Sequence, residues 1–125
     1  MQVSDWLLLA AAGGAGSGLR SLSVLWLTDR RAVALWKTLV GINTLGSFVA
    51  GVLVARMASG EGLQPVDFAV TGFLGGFTTF SGFAVECIEL WERGLRRTSV
   101  GFAAASIVAS AMAAHLGHFL GGVAA

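Results

Sequence analysis

Few side chains in this sequence can do chemistry, and most of those sit inside long apolar stretches. Asn43 lies within Gly41-Ile42-Asn43-Thr44-Leu45-Gly46-Ser47. Thr78, Thr79 and Ser81 lie within Gly75-Gly76-Phe77-Thr78-Thr79-Phe80-Ser81-Gly82-Phe83, and Glu86 follows three residues later. Arg20 follows a glycine-rich run, Gly13 to Gly18, and Ser106 and Ser110 sit in an Ala-rich stretch near the C-terminus. Amide and hydroxyl groups can donate to an anion. Unwound backbone exposes carbonyls that suit a small hard cation. His115 and His118 are three residues apart, but no further ligands accompany them, so they read as interfacial histidines and not a metal pair. The sequence offers no ATP site and no redox group.

Composition explains why these groups are informative. Of 125 residues, 55% are hydrophobic and a further 18 are Gly, while only 12% are charged. A soluble domain of this size still exposes about a third of its chain's surface and could not hide so much apolar area. A soluble enzyme, a disordered chain and a strongly basic nucleic-acid binder are therefore excluded. The single Cys87 excludes a disulfide framework and a Cys-based zinc site. A small integral membrane protein remains, and every polar group at membrane depth is costly there.

Four stretches are long enough to cross a bilayer, which takes about 20 helical residues. They run from about Val3 to Leu27, Ala32 to Val54, Val66 to Trp91 and Ser99 to Val123. The expected architecture is all-α, one four-span transmembrane domain over residues 1–125, with antiparallel neighbours joined by short links. The links are Thr28 to Arg31, Ala55 to Pro65 (with Ser59-Gly60-Glu61-Gly62) and Glu92 to Thr98. The first span has Asp5 near its start, Arg20 inside it and no basic leader, so it is expected to be retained and not cleaved as a signal peptide. Arg30, Arg31, Lys37, Arg93, Arg96 and Arg97 share one side, against Arg56 on the other. The positive-inside rule then puts both termini outside. Four helices of this size hardly enclose an aqueous pore alone, so assembly with another chain is expected.

Each polar position has a structural use beside a functional one. Gly14 and Gly18 form a small-xxx-small pair for close helix contact. Arg20 either snorkels to a headgroup or lines a vestibule that gathers anions. Asn43, Gly46, Ser47 and Ala50 share a helical face, which serves an interhelical hydrogen bond or a passing anion. The Gly-rich third span is either a close-packed helix or one broken mid-membrane, its freed backbone groups then satisfied by protein. Phe80 and Phe83 share a face and either pack or turn their positive ring edges to an anion. Glu86 could couple protons, hold water at a pore mouth or pair with Arg20. Ser106 and Ser110 share a four-residue spacing, although Ser in a membrane helix commonly bonds its own i−4 carbonyl.

The run Gly75 to Phe83, together with Asn43-Thr44-Leu45-Gly46-Ser47-Phe48, resembles the Fluc fluoride channels, also called CrcB. The similarity extends over length, four spans, an Arg after a Gly-rich first helix, the Asn of span two and the break in span three. The resemblance implies a passive fluoride channel of the bacterial inner membrane, not an enzyme. It implies an antiparallel, dual-topology dimer with two fluoride pathways and a central sodium ion. By motif position the backbone carbonyls of Gly75 and Thr78 would hold the sodium. Asn43, Phe80 and Phe83 would line the pore, and Thr79, Ser81 and Ser110 would supply hydroxyls. Arg20 would stand in a vestibule, with Glu86 near the pore end. Two features depart from the family: Lys37 stands where a Gly is common, and the loop charge is biased where dual topology favours balance. A homodimer is expected, with pairing to an inverted homologue as the alternative. The competing function is a small proton-coupled multidrug exporter using Glu86.

Overall fold

The computed structural model describes residues 2–58 and 65–123, which form helices joined by short turns. Helix α1 spans Val3–Leu25 and widens into a π turn over Trp26–Arg30; α2 spans Leu35–Ala58. Helices α3 (Pro65–Phe77) and α4 (Phe80–Glu92) make up the third span, and α5 (Arg96–Val123) the fourth. Four helical stretches are long and apolar enough to cross a bilayer: Val3–Arg30, Leu35–Ala58, Val66–Glu92 and Arg96–Val123. The chain is a multi-pass membrane protein, and the spans match those read from hydropathy within a few residues. The polar link Ser59 to Gly62 lies outside the described residues.

Local chemistry sets the helix ends. The Gln2 backbone N–H donates to the Asp5 carboxylate at 2.6 Å, placing a negative charge in the first turn of α1, where the helix dipole favours it. Helix α4 stops at Gly94, whose φ of +79° is left-handed. The following Leu95 N–H reaches back to the Leu90 carbonyl at 2.9 Å, and α5 starts directly after.

Consecutive spans run antiparallel, but the closest packing joins alternate spans. Helix α1 lies parallel on α3, and α2 lies parallel on α5. Both seams rest on glycine. A Cβ at Gly16 would strike the Phe73 carbonyl, one at Gly72 the Leu9 carbonyl, and one at Gly76 the Gly13 carbonyl. Along the other seam, a Cβ at Gly51 would strike the Ala114 carbonyl and one at Gly117 the Phe48 carbonyl. In a bilayer, apolar surface gains little from leaving lipid, so helix association depends on such close contact. The register differs from the expected one. Gly14 and Gly18 have open space around them, while Gly13 and Gly16 meet α3.

The remaining contacts hold α4 to the α2–α5 pair. Leu39, Leu90 and Phe102 form a small core, flanked by Trp36, Val40, Phe83 and Cys87. The Ser99 hydroxyl donates to the Cys87 carbonyl at 2.8 Å and ties α5 to α4 antiparallel. Large apolar side chains stay exposed on the outer faces, as lipid contact permits.

Candidate functional site

Between α3 and α4 the third span is interrupted at Thr78 and Thr79, and the Thr79 N–H is the first to leave the helical pattern. The glycines before the break remain helical; Gly72 and Gly76 meet α1, while Gly75 has open space around it. What sets the break is a partner on another helix. Asn43 of α2 accepts from the Thr79 N–H at 2.9 Å and donates Nδ2–H to the Thr79 carbonyl at 3.1 Å. One side-chain amide thus takes the place of the helical acceptor of the Thr79 N–H and adds a donor to its carbonyl, which as an N-cap also opens α4. The cost of unmatched backbone in the membrane, several kcal/mol per group, is met at this residue.

Thr79 also begins the next helix. Its φ of −148° and ψ of 118° are extended, and its hydroxyl accepts from the Gly82 N–H at 3.0 Å as an N-cap. The Ser81 hydroxyl sits 3.3 Å from the Thr79 hydroxyl. Thr78 closes α3 instead, donating its N–H at 2.9 Å and its hydroxyl at 2.8 Å to the Leu74 carbonyl.

These bonds decide which carbonyls are released. In an unbroken helix the Gly75 carbonyl would accept from Thr79 and the Thr78 carbonyl from Gly82. Here the Thr79 N–H goes to Asn43 and the Gly82 N–H to the Thr79 hydroxyl. The Gly75 and Thr78 oxygens are thus among the carbonyls freed of their helical donors, and oxygen donors suit a hard cation. The Gly76 carbonyl is treated differently. It accepts from Arg20 Nε at 3.2 Å and from the Ser17 hydroxyl at 3.3 Å. Arg20 therefore caps the C-terminal end of α3, where a positive charge suits the helix dipole. As its protein partner Arg20 takes the Gly76 carbonyl and not Glu86, which was open to it on sequence grounds.

A cavity of about 420 Å³ opens beside the break. Asn43, Ser47, Thr78, Thr79, Ser106 and Ser110 give it polar groups, and Phe80 and Phe83 give it aromatic walls. Phe83 is anchored against the buried Phe102 at 5.3 Å between ring centroids, and Phe80 leans on Phe83 at 5.7 Å. Phe80 itself is 81% exposed, so in an isolated chain its ring stands clear of the protein. Gly75 also borders the cavity. Arg20, Ser81 and Glu86 are not part of its wall. Glu86 is buried one turn beyond Phe83, near the Trp36 backbone and the charges of Glu89 and Arg93.

Two residues join this site that the sequence signalled only weakly. Ser17 shares the Gly76 carbonyl with Arg20, and its place in a run of small residues hid it. Ser106 is 6% exposed, and its hydroxyl has no partner. It does not bond its own i−4 carbonyl as Ser21 and Ser23 do in α1. The four-residue spacing to Ser110 was the available signal. His115 and His118 are exposed, and no cluster of three metal-ligating side chains occurs among the described residues.

The arrangement offers a released pair of carbonyls at a helix C-terminus and donor groups beside a helix N-terminus, a few residues apart at mid-span. A cation suits the first and an anion the second. The family described as CrcB-like protein, Camphor Resistance (CrcB), matches residues 7–118. A fluoride-specific ion channel FluC of Mesorhizobium japonicum is 39% identical, covering 91% of this chain and 93% of the relative. A channel of the same name from Rhizobium meliloti is 40% identical over 89% of this chain and 91% of its own. That of Paracoccus denitrificans is 36% identical over 93% of each. With the family match spanning nearly the full length and relatives at this identity, the chain belongs to the CrcB family.

Proposed function

We propose that this chain is a fluoride-selective channel that lets cytoplasmic fluoride leave the cell passively, and that it is not an enzyme. The observation that carries the reading is the Asn43 clamp on Thr79, which holds a break open beside a cavity of hydroxyls and phenylalanines. The names of the relatives supply the ion. Fluoride is strongly hydrated, so a path for it must replace water with donors and stay too narrow for chloride. Ser106, Ser110, Thr79 and Ser81 supply hydroxyls along that path. The second N–H of Asn43 remains for the anion. Phe80 and Phe83 present ring edges that attract an anion without holding it tightly. Arg20 uses Nε on Gly76, and its terminal nitrogens face incoming anions at the vestibule. Glu86 stands near the pore end.

The open cavity and the exposed Phe80 ring favour assembly as an antiparallel dimer with two pathways, in the inner membrane of a bacterium. A homodimer is the reading carried forward, with an inverted homologue as the alternative partner. A central sodium fits the two released carbonyls, Gly75 and Thr78, each chain contributing its pair. The bound cation would offset repulsion between the two anion paths. The proton-coupled exporter is not favoured: Glu86 lies outside the cavity, and the relatives carry channel names.

A bacterium stripped of its own fluoride exporters tests the function. Expression of this chain should lower steady-state internal fluoride and restore growth in fluoride at acid pH. Unchanged internal fluoride with the chain present in the membrane would refute it.

A further inference from the structure

One rim of the molecule differs from the other in a way that ion conduction does not require. At the end shared by the C-termini of α1 and α4 and the N-termini of α2 and α5, three cations lie over three indoles. The Arg31 guanidinium is 4.6 Å from the Trp26 ring centre, the Lys37 ammonium 5.3 Å from Trp36, and the Arg96 guanidinium 5.1 Å from Trp91. All fall within the range of cation–π attraction. Arg30, Arg93 and Arg97 add three more exposed cations at this end, against the carboxylates of Asp29, Glu89 and Glu92. Among the described residues, the opposite rim holds Trp6 and Arg56.

We propose that this rim is a binding surface for the phosphate headgroups of anionic phospholipids. Stacking uses only the face of a guanidinium. Its N–H donors lie in the plane and remain directed outward, in the fork that matches two phosphate oxygens. Trp26 and Trp91 are about half exposed and sit where helices enter the bilayer, the depth that indoles favour. The indoles therefore fix the cations at headgroup level and remove part of the entropy that a free Arg would lose on binding. Charge complementarity selects the partner. Net positive charge at the membrane surface attracts anionic lipid, while the flanking spans keep this rim in the lipid plane. The surface serves lipid whichever ion the channel carries.

Quenching of tryptophan fluorescence by brominated lipid tests this with the whole chain in phosphatidylcholine vesicles. Brominated phosphatidylglycerol and brominated phosphatidylcholine are compared at equal mole fraction. The wild type should prefer the anionic lipid, by about fivefold for each stacked cation. The triple variant R31Q/K37Q/R96Q should lose most of that preference. R30Q/R93Q/R97Q, which removes the same charge from unstacked positions, should lose much less. Added inorganic phosphate should leave the quenching unchanged. Equal quenching by both lipids in the wild type would overturn the proposal. So would equal losses in the two triples, which would reduce the effect to bulk charge, and so would displacement by free phosphate. Variants are compared only where elution and helical content match the wild type, and the single R56Q at the other rim serves as the unaffected control.

Discussion

The two parallel seams, α1 on α3 and α2 on α5, use the same device and come to different ends. In each, glycine lets one helix settle against the backbone carbonyls of the next. The α2–α5 seam continues unbroken past Gly51, Gly117 and Gly121. The α1–α3 seam stops at Phe77, and the last carbonyls of α3 find partners outside their own helix or are left free. Close packing alone therefore makes a wall. A site appears only where a polar side chain from elsewhere, here Asn43, takes over the hydrogen bonds of a residue that leaves the helix. Arg20 and Ser17 are the counterpart on the other side of the break, holding the Gly76 carbonyl and leaving Gly75 and Thr78 released.

Substitutions that treat the two seams alike should separate them. The largest effect is expected at Asn43. Asn43→Leu leaves the Thr79 N–H without a partner, worth about 1–3 kcal/mol, and strips the second donor from its carbonyl, so fluoride efflux should fall about a hundredfold or more. Asn43→Asp keeps the acceptor and loses the donor, and should fall nearly as far. Next comes Phe80→Ile, which removes the exposed ring and should slow efflux about tenfold or more while the thermal midpoint stays near that of wild type, because Phe80 is not part of the core. Flux unchanged in both Asn43→Asp and Phe80→Ile would remove these residues from the path.

The glycine pair gives the direct contrast. Gly76→Ala and Gly117→Ala each drive a methyl into a facing backbone carbonyl, and each should destabilise by about 1–3 kcal/mol in thermal unfolding. Gly117→Ala should keep fluoride over chloride selectivity at low temperature. Gly76→Ala shifts the carbonyl that Arg20 caps and should lose flux out of proportion to stability. Equal behaviour would mean that the break is no more special than the unbroken seam. The smallest effect is expected at Gly14→Ala, where open space surrounds the new methyl. Stability should change by no more than about 0.5 kcal/mol. A larger loss, measured as dissociation of the oligomer, would place a second chain against that face of α1.

The spans were legible because hydropathy needs only a count of consecutive apolar residues. The choice of glycines was not. Residues 13–18 are six small residues in a row, and every helical face of such a run looks equally able to pack; Gly13, Gly16 and Ser17 meet α3, while Gly14 and Gly18 face outward. The sequence indicated a break somewhere in the run of Gly, Thr and Ser from Gly72 to Phe83 without fixing its residue. The interruption falls at Thr78 and Thr79 within that run, its position set by an amide 36 residues away in sequence. Arg20 shows the same limit: its charge was visible, and its partner, a backbone carbonyl on another helix, carries no residue signature. Ser106 was visible through its spacing to Ser110, yet only burial distinguishes its unpaired hydroxyl from the self-bonded serines of α1.

Efflux from liposomes loaded with both anions, containing the purified chain alone and followed with fluoride- and chloride-selective electrodes, tests the role of the break most directly. Fluoride should empty rapidly on addition of a potassium ionophore while chloride stays inside. Loss of both anions together, or of neither, would contradict a fluoride path built at Thr78 and Thr79.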